Sequence, residues 1–257
     1  VLVREASPAG PPGVRQASRA AQEACSEVAS ARSGGAAGSG EASGSVSQKA
    51  APPEEGRAPS EGVDPVPAEL PSVLAQHVEG HLAAARGMAA LVPAVEAAAD
   101  LIIETFARGG TLYTLGNGGS AADAQHLTGE LIGHYKRDRR PLPTVTLTTD
   151  ATVMTCIAND YAYEDVFARQ VQALARPGDV VAAFTTSGNS PNVVSALQTA
   201  RSNGAVTVLF GGGDGGAAAE HADHLLLAPA TETPRIQEIH TLMLHMISEK
   251  VDAWAAA

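Results

Sequence analysis

The sequence predicts an α/β fold: a doubly wound, five-stranded parallel sheet preceded by a helical hairpin. Three observations carry this. The apolar run TLYTL (Thr111 to Leu115) passes through the turn GNGGS (Gly116 to Ser120) into AADAQHLTGELIGHY, whose apolar spacing is helical. The same order of strand, polar turn and helix recurs in GDVVAAF, TTSGNS and PNVVSALQTARSNG, between Gly178 and Gly204. Short apolar runs then continue to alternate with helical segments, and a chain that returns to a parallel neighbour needs such a crossover each time.

Taken in order, residues 1–66 are rich in Ala, Gly, Ser, Pro and Glu and contain no aromatic residue. Such a stretch has too little apolar surface to offset the entropy of ordering it, so it reads as a disordered low-complexity extension, with the start of a helix near Arg19 to Ala31. Its opening, VLVREASPAG, lacks the apolar core of a secretory signal. The folded domain is expected over 67–257. It begins with two amphipathic helices that separate near Val92 and Pro93. Leu74, His77, Val78 and Leu82 mark the face of the first, and Val95, Ala99, Ile102, Ile103 and Phe106 that of the second. This hairpin either caps the sheet or packs against another subunit.

Strands are expected at 111–116, 143–148, 179–184, 205–210 and 223–228. Helices are expected at 120–135, 150–159, 163–175, 191–203, 215–221 and 234–254. Pro191 suits the first turn of its helix, and Ser120 stands where an N-cap belongs.

Charge and cysteine usage narrow the function. The net charge is −11, and positive charge gathers only at Lys136 to Arg140, which borders a pocket or forms a solvated loop; no nucleic-acid footprint is present. No apolar run approaches the length of a membrane span. The two cysteines, Cys25 and Cys156, imply neither a disulfide framework nor a zinc-thiolate site, and they suit a reducing compartment.

The two strand-end turns carry the chemistry. In an open parallel sheet both face the crevice at the carboxyl ends of the strands. Their glycines let main-chain N–H groups approach an anion, and each helix N-terminus favours one by about 0.3 to 2 kcal/mol, which points to a phosphorylated small molecule. The turn spacing is neither that of a P-loop nor that of a dinucleotide fingerprint. His126 and Glu130, four apart on the helix after the first turn, share a face and suit a cation or an acid and base pair. In the last helix Gln237 and His245 are near enough in projection to reach a common site; His240 and Glu238 are alternatives, with Ile236, Ile239, Leu242 and Met246 as the core stripe. His221 and His224 read as loop histidines.

From about Leu70 to Trp254 the chain resembles the SIS (sugar isomerase) family, with its flavodoxin-like sheet, and specifically the phosphoheptose isomerases. The matching motifs are GNGGS with A-D-A-Q-H-x-x-x-E, T-x-x-A-N-D-Y-x-Y-x-x-V-F, TSGNS-x-N, GGDGG, and T-P-R-I-Q-E-I-H-x-x-x-x-H. The resemblance implies interconversion of D-sedoheptulose 7-phosphate and D-glycero-D-manno-heptose 7-phosphate, the first step toward a nucleotide-activated heptose. It places substrate contacts on Asn117, Gly118, Gly119, Ser120, Glu130, Asp150, Thr185, Thr186, Ser187, Ser190 and Gln237. It places one Zn²⁺ per subunit on His126, Glu130, Gln237 and His245, with Glu130 and His245 also as acid and base. A cytoplasmic homotetramer with sites assembled from more than one subunit is implied as well. One departure is His134, where many relatives have Arg. Some members are instead sugar-phosphate sensors or partners of the replication initiator, and these tend to lose the glutamate and the last histidine. Glu130 and His245 are both present here.

Overall fold

In the computed structural model of the protein, residues 72–257 are described; the extension expected over 1–66 and the helix start near Arg19 to Ala31 lie outside them. Helix α1 (Val73–Gly87) passes through a 3₁₀ turn (Met88–Ala90) into α2 (Val92–Ala107), with Pro93 in the first turn, where its missing N–H costs nothing. Then follow β1 (Leu112–Gly116), α3 (Gly119–Ile132), β2 (Thr144–Thr146), α4 (Ala151–Asp160) and α5 (Ala168–Leu174). The chain continues with β3 (Val180–Phe184), α6 (Pro191–Ser202), β4 (Val206–Gly212), a 3₁₀ turn (Gly216–His221), β5 (His224–Ala228) and α7 (Thr233–Ala255).

The five strands are all parallel, in the order β2-β1-β3-β4-β5. Alternate residues serve opposite faces. Leu112, Val180, Ala182, Phe184, Val208 and Phe210 pack under α2, α3 and α7 with Ile102, Leu127, Ile239 and Leu244. Tyr113, Leu115, Val181, Ala183 and Leu209 pack on the other side with Phe167, Val193 and Leu197. Burial on both faces is why these strands read as continuous apolar runs. Each fully buried Leu or Phe contributes about 1.5 to 3 kcal/mol.

Four expectations are corrected. Helix α3 ends at Ile132 rather than 135, because Gly133 breaks it and the Arg139 guanidinium takes the carbonyls of Glu130 and Leu131. Ser120 is not an N-cap: Gly118, at φ +56, holds that position and Ser120 lies inside the helix, buried. The segment 163–175 divides into a 3₁₀ turn at Tyr163–Asp165 and α5. On α7 the buried stripe runs through Ile236, Ile239, Met243, Leu244, Ile247 and Val251, while Leu242 is exposed. The two faces of the hairpin differ: among the described residues that of α1 is largely exposed, with Leu74 at 72%, whereas that of α2 is buried at Val95, Ala99, Ile102 and Phe106.

Candidate functional site

The strand order has its switch point between β1 and β3: from β1 the chain moves outward to β2, and from β3 it moves the other way through β4 to β5. A crevice opens where neighbouring strands send their connections in opposite directions. The loops after β1 and β3 flank it. Asn117, from the first, and Asn192, on the first turn of α6, exchange both amide hydrogen bonds at 2.9 Å, and the Tyr163 hydroxyl donates to Asn117 Oδ1 at 3.1 Å. A cavity of about 230 Å³ lies between the loops, lined by Asn117, Ser120, Phe184, Thr185, Thr186, Ser187, Ser190, Thr233 and Gln237. Its wall is mostly hydroxyl and carboxamide, and the N-termini of α3 and α6 face it, so its chemistry suits an anionic, polyhydroxylated ligand.

The second loop is braced from behind. The Thr185 hydroxyl accepts from Gly188 N at 3.2 Å, and Asn189 Oδ1 accepts from Ala217 N at 3.0 Å. Gly188 has φ +66, and a Cβ there would overlap the Gly215 carbonyl. The GGDGG stretch is therefore the seat on which the TSGNS loop rests.

Helices α3 and α7 run side by side from the cavity and meet in three successive layers. Gly119 faces Gln237, whose carboxamide fills the space where a Cβ would stand. Next, Asp123 Oδ1 accepts from the Thr241 hydroxyl at 3.3 Å. In the third layer His126 Nε2 and His245 Nε2 lie 3.2 Å apart, and Glu130 Oε1 lies 3.1 Å from His126 Nε2. Ligand atoms of His126, Glu130 and His245 all fall within 4.8 Å of one another. Two imidazole nitrogens and a carboxylate oxygen with no cationic side chain among them form a donor set for a divalent cation. Burial pushes the His245 imidazole below its ordinary pKa, with His126 acting in the same direction and Glu130 against it. The Tyr135 ring stacks on His245 at 5.7 Å between centroids.

Comparison with known proteins shows the family. The SIS domain pattern matches residues 82–222. The chain belongs to the SIS domain family. It is 49% identical over 160 residues to the phosphoheptose isomerase of Roseiflexus sp. (strain RS-1), covering 62% of this chain and 81% of that protein. It is 44% identical over 184 residues to that of Trichlorobacter lovleyi, covering 71% and 94%. Among solved structures, the phosphoheptose isomerase GmhA from Neisseria gonorrhoeae superposes with a TM-score of 0.67 at 38% identity, covering 70% of this chain and 97% of that one.

Within the SIS fold the residues expected from sequence fall into three places. Asn117, Ser120, Thr185, Thr186, Ser187, Ser190 and Gln237 line one cavity; Gly118 and Gly119 stand between Asn117 and Ser120 in the chain, Gly119 against Gln237. His126, Glu130 and His245 form the second cluster. Gln237, expected as the fourth ligand, lines the hydroxyl-rich cavity, with its carboxamide against Gly119. Asp150 stands apart, as the exposed N-cap of α4, accepting from the amides of Thr152 and Val153 at 2.9 and 3.0 Å. His240, weighed as an alternative, is fully buried and bonds the Gly211 carbonyl at 3.0 Å; burial holds its pKa at about 4, the carbonyl bond opposing. Glu238 pairs with Arg235 and His81 between α7 and α1. His134 is exposed and makes no hydrogen bond among the described residues.

Sequence reasoning missed Thr233, Asn192, Tyr163, Asp123 and Tyr135. Asp123 is nearly buried, its Oδ2 has no hydrogen-bond partner among the described residues, and burial raises its pKa, with Thr241 and His126 opposing. Thr233, Asn192, Asp123 and Tyr163 lie inside the quoted motifs, so a signal was present, but their contacts cross 40 to 120 positions of sequence.

Proposed function

We propose that the chain is a phosphoheptose isomerase, an aldose-ketose isomerase that interconverts D-sedoheptulose 7-phosphate and D-glycero-D-manno-heptose 7-phosphate. The observation that carries this is the convergence of His126, Glu130 and His245 at the far end of the same helix pair that frames the hydroxyl-lined cavity. The two places suit the two ends of a sugar phosphate. Hydroxyls of Ser120, Thr185, Thr186, Ser187 and Ser190, with the two helix N-termini, take the phosphate. Its binding energy then orients the distant carbonyl end against Glu130 and His245.

Moving a carbonyl between adjacent carbons goes through an enediol, so one group must take the carbon proton and another must exchange protons with the oxygens. Glu130 contacts His126 through Oε1 alone, which leaves Oε2 for the carbon proton. His245, held below its ordinary pKa, is neutral at pH 7 and exchanges the oxygen-bound proton. Stacking with Tyr135 fixes its ring plane.

Zinc fits the cluster. A tetrahedral site with ligands at about 2.0 to 2.1 Å has ligand atoms separated by about 3.3 Å; two of the three separations here are 3.1 and 3.2 Å, and all three lie within 4.8 Å. His126, Glu130 and His245 would hold the ion. When bound it polarises the substrate's carbonyl and hydroxyl oxygens. The assembly proposed is a homotetramer. Its support is the α1 face, largely exposed among the described residues, and an open groove of about 450 Å³ between α2 and α7 that reaches His245. No helix among the described residues is long and apolar enough to cross a membrane. The free thiol of Cys156 suits a cytoplasmic location.

The deciding experiment is turnover of sedoheptulose 7-phosphate by purified protein, followed by NMR, with and without a chelator. Conversion that stops with chelator and returns with zinc is expected. Substrate binding without conversion in metal-replete protein would move the chain to the sensor class and leave Glu130 and His245 without a catalytic role.

A further inference from the structure

The run Lys136 to Arg140, expected to border a pocket or to form a solvated loop, turns inward at Arg139. The Arg139 side chain is fully enclosed. Its Nη2 donates to the carbonyl of Glu130 at 2.7 Å, its Nη1 to the carbonyl of Leu131 at 2.9 Å, and its Nε to Asp252 Oδ1 at 2.9 Å. The last carbonyls of a helix have no intrahelical donors, and a cation there also answers the helix dipole. Arg139 thus ends α3 at the residue proposed as the base. Asp252, also fully enclosed, lies on α7 seven residues after His245 and so on the same face. It further accepts from the amides of Tyr135, Lys136 and Arg137 at 3.4, 3.3 and 2.9 Å. That holds the stretch whose Tyr135 stacks on His245.

We propose that Arg139, paired with Asp252, is a positioning residue of the isomerase, clamping the end of α3 to α7 and so setting Glu130 against His245. The inference rests on the isomerase reading. The Arg139 side chain is fully enclosed and does not line the hydroxyl-rich cavity, so it is not a phosphate ligand. A buried ion pair is on average a weak source of net stability, whereas breaking its geometry moves what it holds. The planar fork serves the carbonyls of Glu130, Leu131, Gly133 and Arg140 and a carboxylate together; a lysine ammonium keeps the charge but not that span.

The experiment compares wild type, Arg139→Lys, Asp252→Asn and, as a control, Asp179→Asn. Asp179 is a nearly buried carboxylate at the opposite ends of the strands, accepting from the amides of Thr111 and Arg176 at 2.8 Å. For each protein the melting temperature, zinc affinity by chelator competition, kcat and KM are measured. Arg139→Lys is expected to fold, to bind zinc about 10- to 100-fold more weakly, and to lose about 10- to 100-fold in kcat. Its KM should stay within about threefold, because the phosphate cavity is untouched. Asp179→Asn should lower the melting temperature without changing kcat or zinc affinity. Wild-type kcat and zinc affinity in Arg139→Lys, or an equal kcat loss in the Asp179 control, would overturn the proposal. If wild type itself fails to turn over the sugar, the functional reading has failed. Amide exchange over 126–132 and zinc affinity then still judge the clamp, with faster exchange by at least about tenfold expected in Arg139→Lys.

Discussion

Asn117 and Asn192 hold each other by two amide hydrogen bonds, each 2.9 Å, across the crevice between β1 and β3. The pair fixes the spacing of the two loops, and because the carboxamides satisfy one another they add rigidity without leaving a buried polar group bare.

Asn192→Ala frees one side of that pair. The expected result is a KM for sedoheptulose 7-phosphate raised about tenfold, with a stability loss of about 1 to 2 kcal/mol from the amide left unpaired. Steady-state kinetics and urea unfolding read the two effects. An unchanged KM would mean that the loops keep their spacing without the pair.

Gly119 and Gly188 separate function from folding. A Cβ on Gly119 would stand 2.5 Å from Gln237 Nε2, the mobile end of a side chain that can give way. Gly119→Ala should keep the melting temperature within a few degrees while displacing Gln237, at a cost of about tenfold or more in kcat/KM. At Gly188 the obstacle is the backbone of Gly215 and φ is +66. Gly188→Ala should destabilise the fold by about 2 to 4 kcal/mol. Equal losses of stability in both variants would contradict this distinction.

Glu130→Gln keeps the side-chain shape but removes the base. Turnover should fall by about 10²- to 10⁴-fold, while inorganic phosphate still binds the hydroxyl-lined cavity, measured by calorimetry. Near-normal turnover would show that another group takes the carbon proton.

His240 links stability to pH. Its pKa is about 4 in the fold and about 6.5 when unfolded. Between these values the unfolded chain binds more protons, so stability rises with pH; the contribution is complete above about 6.5 and is lost as pH falls toward 4. The loss should be about 3 kcal/mol. His240→Gln should therefore show a shallower decline in unfolding free energy from pH 7 to 4 than wild type does. Parallel declines would assign the acid sensitivity to other groups.

By itself the sequence determined what local chemistry dictates. Strands at Leu112 to Gly116 and Val180 to Phe184, the glycine turns after them and the spacing of His126 and Glu130 were legible, because periodicity and turn chemistry act over a few residues. So was the family, through motifs that keep their spacing. Tertiary structure alone decided what depends on distant partners. Ser120 left the N-cap because Gly118 adopts a backbone angle closed to side chains, and α3 stopped at Ile132 because Gly133 and Arg139 end it there. Arg139 became a buried clamp because Asp252, 113 positions away, offers it a carboxylate. The reach of His245 to His126 spans 119 positions and was legible only as a projection on one helix. Contacts of that separation are set by how the helices pack on the sheet, and no local pattern carries that information.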